Sequence, residues 1–396
     1  MTRKAENLIP ANKDVLVWAR QAIGLTRTEA AEKLGVTPGL LESIENGDEY
    51  PNSYLFNAMI TVYKQPESTL LLAKAPETTV LPQDYRTAAS RRKKLSPETR
   101  VIIREAQELQ RYVSELAEDD PALIKQFDLP KATLSNSAVN LAKTERARIG
   151  VPLSTQLKWR PLESFNRWRN WLQDKGIIVL LKRMPWHECR GFSLLDTTLI
   201  PTIVVNSEDV VSARTFTLFH EYAHLMLRHA GVCTLAPDVA VEQWCNVFSA
   251  SFLLPADELT SYIEQTYAEA GPNYNWPLAR LTRLAGRYRV SRAVMALRLQ
   301  KLGLATPNYF ESHYAELNAF DRRPKPTEPP HIQRKPGWRE KQRLNEVGLI
   351  AASVIVEAWR EDITDATEAA DILNLSLDEL HGLQVQTEVQ RVRNVS

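Results

Sequence analysis

Two histidines four residues apart, with a glutamate directly after the first, stand in the run Ala213-Arg-Thr-Phe-Thr-Leu-Phe-His220-Glu221-Tyr-Ala-His224. On a helix that spacing sends both imidazoles from one face about a turn apart, close enough to share one metal ion. In such an arrangement the histidines hold zinc, and the intervening glutamate, not itself a ligand, takes the proton of the metal-bound water. Catalytic zinc needs a third protein ligand and one open position. His229 lies roughly 140° round the helix from His224 and faces away. Cys233 follows Gly231 in a stretch that reads as a loop. Glu242 flanks an apolar stripe of Val241, Cys245, Phe248 and Phe252 together with Asn246, and this patterned support makes it the expected third ligand.

These residues must be carried by a helix with some β-structure beside it. Ile177 to Leu181 is a β-branched run and Ile200 to Val205 a second, ending at Asn206. A small sheet next to the metal helix suits a peptidase, because an extended substrate can add along an exposed edge. Arg190, Asn206 and Arg214 are candidates for substrate or oxyanion contacts, each with an equally simple structural role.

The run Thr217-Leu-x-His220-Glu221-x-x-His224, Glu242-x-x-x-Asn246-x-Phe248 and Leu-Leu-Pro255, with Arg190-Gly-Phe-Ser193 and Pro201-x-Ile-Val-Val-Asn206 upstream, resembles the ImmA/IrrE family of zinc metallopeptidases over residues 145 to 304. The resemblance implies a Zn2+ ion on His220, His224 and Glu242, Glu221 as catalytic base, and a protein substrate, plausibly a repressor or antitoxin in a stress or mobile-element switch. Cys245 and Ser249 stand where that family usually has alanine.

Nearer the N-terminus, Thr26 caps a short helix closed by Gly35, and Thr37-Pro38 opens another closed by Gly47. With Ala30, Val36 and Ile44, this order resembles the repressor-type, Xre-like helix-turn-helix. DNA reading in that fold falls to the second helix of the motif, which here offers Leu40, Leu41, Glu42, Ser43 and Glu45. Residues 1 to 68 hold seven basic and nine acidic side chains, whereas a phosphate-binding surface should be positive. Duplex DNA is therefore one partner the domain could take, and protein docking or a homodimer is the alternative. Eight basic against three acidic residues between 86 and 111 make that run the nearest source of phosphate contacts, above all Arg91, Arg92, Lys93 and Lys94; a solvated linker is the simpler reading.

The whole reads as a multidomain, mainly α protein with a small β-sheet in the peptidase domain. The helix-turn-helix domain takes residues 1-68, a helical connector 69-144, the peptidase domain 145-305, a proline-rich basic linker 306-343 and a helical tail 344-396. In the connector a helix opening at Ser96-Pro97 carries the stripe Ile102, Ala106, Leu109, Val113 and Leu116, expected to pack on the peptidase domain. Hydrophobic residues make up 44% and charged ones 24% of the 396, the balance of an ordinary globular protein. No apolar run nears the ~18 residues of a membrane span, and Cys189, Cys233 and Cys245 form no CxxC pair, so a reducing, cytoplasmic setting is expected. The rival to a peptidase is a DNA-binding regulator whose zinc domain is structural or sensory; the intact Glu221 favours catalysis.

Overall fold

The computed structural model describes residues 7–76, 95–124, 127, 129–185, 188–196, 198–228, 239–319 and 337–395. The chain is mainly α-helical with one three-stranded sheet. It divides into two compact units, residues 1–81 with 88–105 and residues 82–87 with 106–396. Among the described residues no helix is long and apolar enough to cross a membrane.

The first unit holds α1 (Lys13–Ala22), α2 (Arg27–Leu34), α3 (Pro38–Asn46) and α4 (Ser53–Tyr63). The threonine caps expected from sequence are made: the Thr26 side chain accepts from the Glu29 amide and that of Thr37 from the Leu40 amide. Leu16, Ile23, Leu41, Phe56, Met59 and Tyr63 fill the core. The start of helix Pro97–Asp119 belongs to this unit; Val101 packs against the core and the Arg104 guanidinium donates to the Lys64 carbonyl.

The glutamates of α3 do not lie as the sequence suggested. Glu45 is buried, its carboxylate accepting from Arg20 Nε at 2.5 Å and Nη2 at 2.9 Å, with Arg27 Nε at 3.1 Å. Leu41 is also buried, so α3 turns one leucine and one glutamate into the core. A carboxylate on an amphipathic helix reads as solvent-facing until a buried arginine from another helix is found beside it.

In the second unit, β1 (Ile178–Lys182) pairs in parallel with β3 (Thr202–Asn206), and β2 (Gly191–Leu194) pairs antiparallel on the other side of β3. All three strands are buried throughout. Helix Val211–Met226 lies on β2 and β3, flanked by Pro161–Asp174 and Val239–Leu253. Between them Trp168 makes edge contacts with Phe219 and Phe252, whose ring centroids are 4.0 Å apart. β2 was not foreseen as a strand, because four residues give too little alternation to register.

The connector helix buries Ile103, Ala106, Leu109, Val113 and Leu116. Ile102, expected on that stripe, is only half-buried, and Ile103 takes its place.

The helices beyond residue 337, which include the expected helical tail, are part of the same unit as the sheet. Helix Trp338–Arg360 packs on β1 through a break at Gly348 (φ 83°), where a Cβ would lie 2.8 Å from the Val179 carbonyl oxygen. Arg169 closes this seam from below, donating from Nε to the Val179 carbonyl at 3.1 Å and from Nη1 to Asn345 at 2.7 Å. Sequence pattern shows that the segment is amphipathic, but not what its apolar face covers.

Candidate metal centre

Helix Val211–Met226 is buried along nearly its whole length. A helix so enclosed can carry polar side chains only where they satisfy one another. Its His220 is wholly buried, with His224 and Glu221 2% and 4% exposed. Helix Val239–Leu253 presents Glu242 to the two histidines, and the candidate ligand atoms of the three residues lie within 4.8 Å of one another. The Nε2 atoms of His220 and His224 are 3.1 Å apart, and they stand 3.3 and 3.1 Å from the Glu242 carboxylate oxygens. A tetrahedral ion with bonds of about 2.1 Å needs its ligand atoms roughly 3.4 Å apart. The donor set and its spacing therefore fit zinc.

The histidines are fixed from behind by the turn that follows Glu242. His220 Nδ1 lies 3.1 Å from Asn246 Oδ1. A carbonyl oxygen only accepts, so Nδ1 carries a proton, and Nε2 is the nitrogen that would turn a lone pair to a bound metal. Burial pushes the Cys245 thiol up from its ordinary value. Burial would raise the Glu242 carboxyl, but hydrogen bonds from His220 and His224 outweigh it and bring the pKa to about 2. Burial opposes charge on His224, yet its neighbours Cys245 and Glu242 lift it well above the ordinary imidazole value.

Glu221 stands outside the ligand set and accepts a hydrogen bond from Ser193 Oγ on β2, 3.2 Å from its Oε2. Gly191 makes this approach possible: a Cβ there would collide with the Thr217 methyl and lie 2.8 Å from the Val204 carbonyl oxygen. Ser193 was quoted in the sequence only as part of a motif. Its contact with Glu221 depends on strand register, which local spacing does not reveal.

The other sequence candidates go elsewhere. Asn206 is wholly buried and knots the end of β3, donating to the Met184 and Cys189 carbonyls at 2.9 and 2.8 Å and accepting from the Met184 and Glu208 amides. Arg214 donates to the Asp209 and Ser207 carbonyls, and Arg190 faces the Asp209 carboxylate at 3.7 Å. These three gather around the 206–209 turn at the start of the metal helix. Arg91, Arg92, Lys93 and Lys94, with His229 and Cys233, lie outside the described residues.

Residues 172–300 match the M78 peptidase family, described as an IrrE N-terminal-like domain, and residues 16–64 match a helix-turn-helix family. No curated protein and no solved structure matches the chain significantly. An N-terminal helix-turn-helix of the kind that binds DNA is thus joined to a domain of metallopeptidase type.

Proposed function

We propose that this chain is a cytoplasmic regulator whose second unit is a zinc-dependent endopeptidase, acting on a protein such as a repressor or antitoxin, and whose first unit docks on duplex DNA. The observation that carries the reading is the convergence of His220, His224 and Glu242 with a separate carboxylate, Glu221, beside them. A purely structural zinc site has no use for that second carboxylate.

A bound zinc ion would lower the pKa of its water to about 7 and polarise a scissile carbonyl. His220, His224 and Glu242 would hold it, with Asn246 keeping His220 in the tautomer that binds. Glu221 accepts the water's proton and returns it to the leaving amine. Ser193 donates to one of its oxygens and helps to hold the carboxylate for that task. In this reading the substrate would pair with β2, the edge strand beside Glu221, because Arg169 and helix Trp338–Arg360 occupy the β1 side. An extended peptide pairing along β2 would pass the base.

The test is Glu221→Gln, which keeps size and shape but cannot take up a proton. Wild type and variant are co-expressed with the products of the neighbouring genes, and cleavage is followed by mass spectrometry with zinc measured alongside. The variant should retain zinc and lose cleavage by about 10²–10⁴-fold. Equal regulation by both proteins would make the chain a binding module and refute the enzyme reading.

A further inference from the structure

The carboxylate of Glu221 has no covalent restraint on the rotation of its last two bonds, so a general base in this place needs something to aim it. Ser193 supplies such a contact, its hydroxyl donating to Oε2 at 3.2 Å. Ser193 sits next to the last residue of β2, opposite Ile203 in the register. Its place therefore depends on how firmly the β2–β3 connection is held.

That connection is gripped by a helix outside the segment that matches the peptidase family. Gln110, on Pro97–Asp119, donates through Nε2 to the Ile200 carbonyl at 2.7 Å and the Leu194 carbonyl at 3.4 Å, joining the end of β2 to the approach to β3. One turn on, the Ser114 hydroxyl accepts from the Ile200 amide at 2.9 Å and donates back to the Gln110 carbonyl at 2.7 Å. Both side chains are buried, 4% and 7% exposed. Two buried polar residues in an otherwise apolar stripe cost desolvation unless they hold something in place.

We propose that Ser193 is a positioning residue for Glu221, and that Gln110 and Ser114 set its register by clamping the two ends of the β2–β3 connection. The proposal rests on the peptidase reading, since it assigns Glu221 the role of base. Helix Pro97–Asp119 then belongs to the working site although it lies before the catalytic domain in sequence. The hydroxyl of Ser193 donates to Oε2 and so fixes the rotation of the carboxylate about its last bonds. Loss of the clamp lets Ser193 slide and the carboxylate turn away, with the metal ligands untouched because they stand on other elements.

The experiment uses full-length, zinc-loaded protein and acetohydroxamate, a small chelator whose hydroxyl reaches from the metal towards the base carboxylate. Affinity is measured by calorimetry, with zinc content and thermal midpoint for each variant. Ser193→Ala should weaken acetohydroxamate about tenfold, the worth of one hydrogen bond to a charged group, with zinc unchanged; Ser193→Thr, which keeps the hydroxyl, should restore it. Gln110→Ala should weaken it several-fold, and Gln110→Ala with Ser193→Ala no further than Ser193→Ala alone, because the first acts through the second. Unchanged affinity in Ser193→Ala overturns the proposal. Additive losses in the double variant, or a Gln110→Ala protein that is less thermostable but binds normally, reduce Gln110 to a structural residue and overturn its part. Wild-type affinity in Glu221→Ala shows that the carboxylate is not aimed at the probe and removes the premise of positioning. Failure of the wild-type chain to hold zinc strikes instead at the peptidase reading itself.

Discussion

Gly191→Ala probes the seam between β2 and the metal helix with a single methyl group. A Cβ at 191 would sit 2.8 Å from the Val204 carbonyl oxygen and still closer to the Thr217 methyl, against ordinary contact at 3.4–4 Å. Neither neighbour yields easily. The carbonyl belongs to the backbone of β3, and the Thr217 side chain is pinned by its hydroxyl donating to the Ala213 carbonyl at 3.0 Å. Helix and strand must therefore part by more than about half an ångström, and overpacking of that kind costs about 1–3 kcal/mol. The thermal midpoint should fall by roughly 2–4 °C for each kcal/mol. The Ser193 to Glu221 hydrogen bond, already 3.2 Å, should open, and a misplacement approaching an ångström can lower turnover by about 10². Differential scanning calorimetry reads the first effect and turnover the second, with zinc analysis as a control, since none of the candidate ligands His220, His224 and Glu242 is among the near neighbours of a Cβ at 191. Thr217→Ser in the same protein removes the worse collision and should recover part of the stability, while Gly286→Ala, where a Cβ meets nothing within 4 Å, serves as a control. A Gly191→Ala protein with wild-type stability would show that the seam is loose and refute the packing argument.

Glu242→Ala removes one of the three candidate ligands and should abolish stoichiometric zinc, whereas Asn246→Ala, which frees the His220 ring, should weaken zinc by about 10–100-fold; competition with a chelator measures both, and zinc retained in Glu242→Ala but lost in Cys233→Ala would move the third ligand. Zinc must displace the proton from His224, whose pKa is raised in the metal-free fold. The metal-free protein draws stability from protonated His224 below about pH 6.5 and loses it as pH rises through the raised folded value, while zinc binding strengthens over the same interval. The gap in thermal midpoint between zinc-loaded and chelator-treated protein should therefore widen from pH 6 to pH 9; a constant gap would mean that His224 is not a ligand. Glu242, at about 2, stays ionised throughout and adds no slope there.

What could be read in the sequence was whatever depends on spacing within one helix. His220, Glu221 and His224 are fixed by a four-residue interval, and Glu242 and Asn246 by their flanking of one apolar stripe, so the grouping of the candidate ligands could be expected before any tertiary contact was known. Ser193 was not, because its partner lies 28 residues away across a strand–helix seam. Gln110 and Ser114 were harder still: their bonds span 84 to 90 residues, and in the sequence they are only polar interruptions of a core-facing stripe. Asn206 shows the converse. Its residue type suggests a substrate contact, yet a buried amide with four backbone bonds is satisfied where it stands.

The first unit corrects a charge count that treated every carboxylate as surface. Glu45 is spent on Arg20 in the core, and Glu42 is paired with Arg27 Nη1 at 2.6 Å while Arg27 Nε also reaches Glu45. The exposed positions of α3 are Pro38, Gly39, Glu42 and Asn46, so the presumed reading face is nearly neutral and has little with which to recognise bases. Its affinity for DNA must come from phosphate contacts, and Arg27, at the start of α2, is a cation held back beside it by Glu42 and Glu45. Glu42→Gln removes the exposed half of that restraint and leaves the Arg20–Glu45 pair intact, so the fold should be unaffected. The freed guanidinium would neutralise one more phosphate, which steepens the slope of log affinity against log salt by about 0.9 and strengthens binding most at low salt. Titration of full-length protein with a duplex at two salt concentrations reads both. If Glu42→Gln binds duplex with the same slope and affinity as wild type, Arg27 does not face DNA, and this helix-turn-helix serves to dock a protein instead.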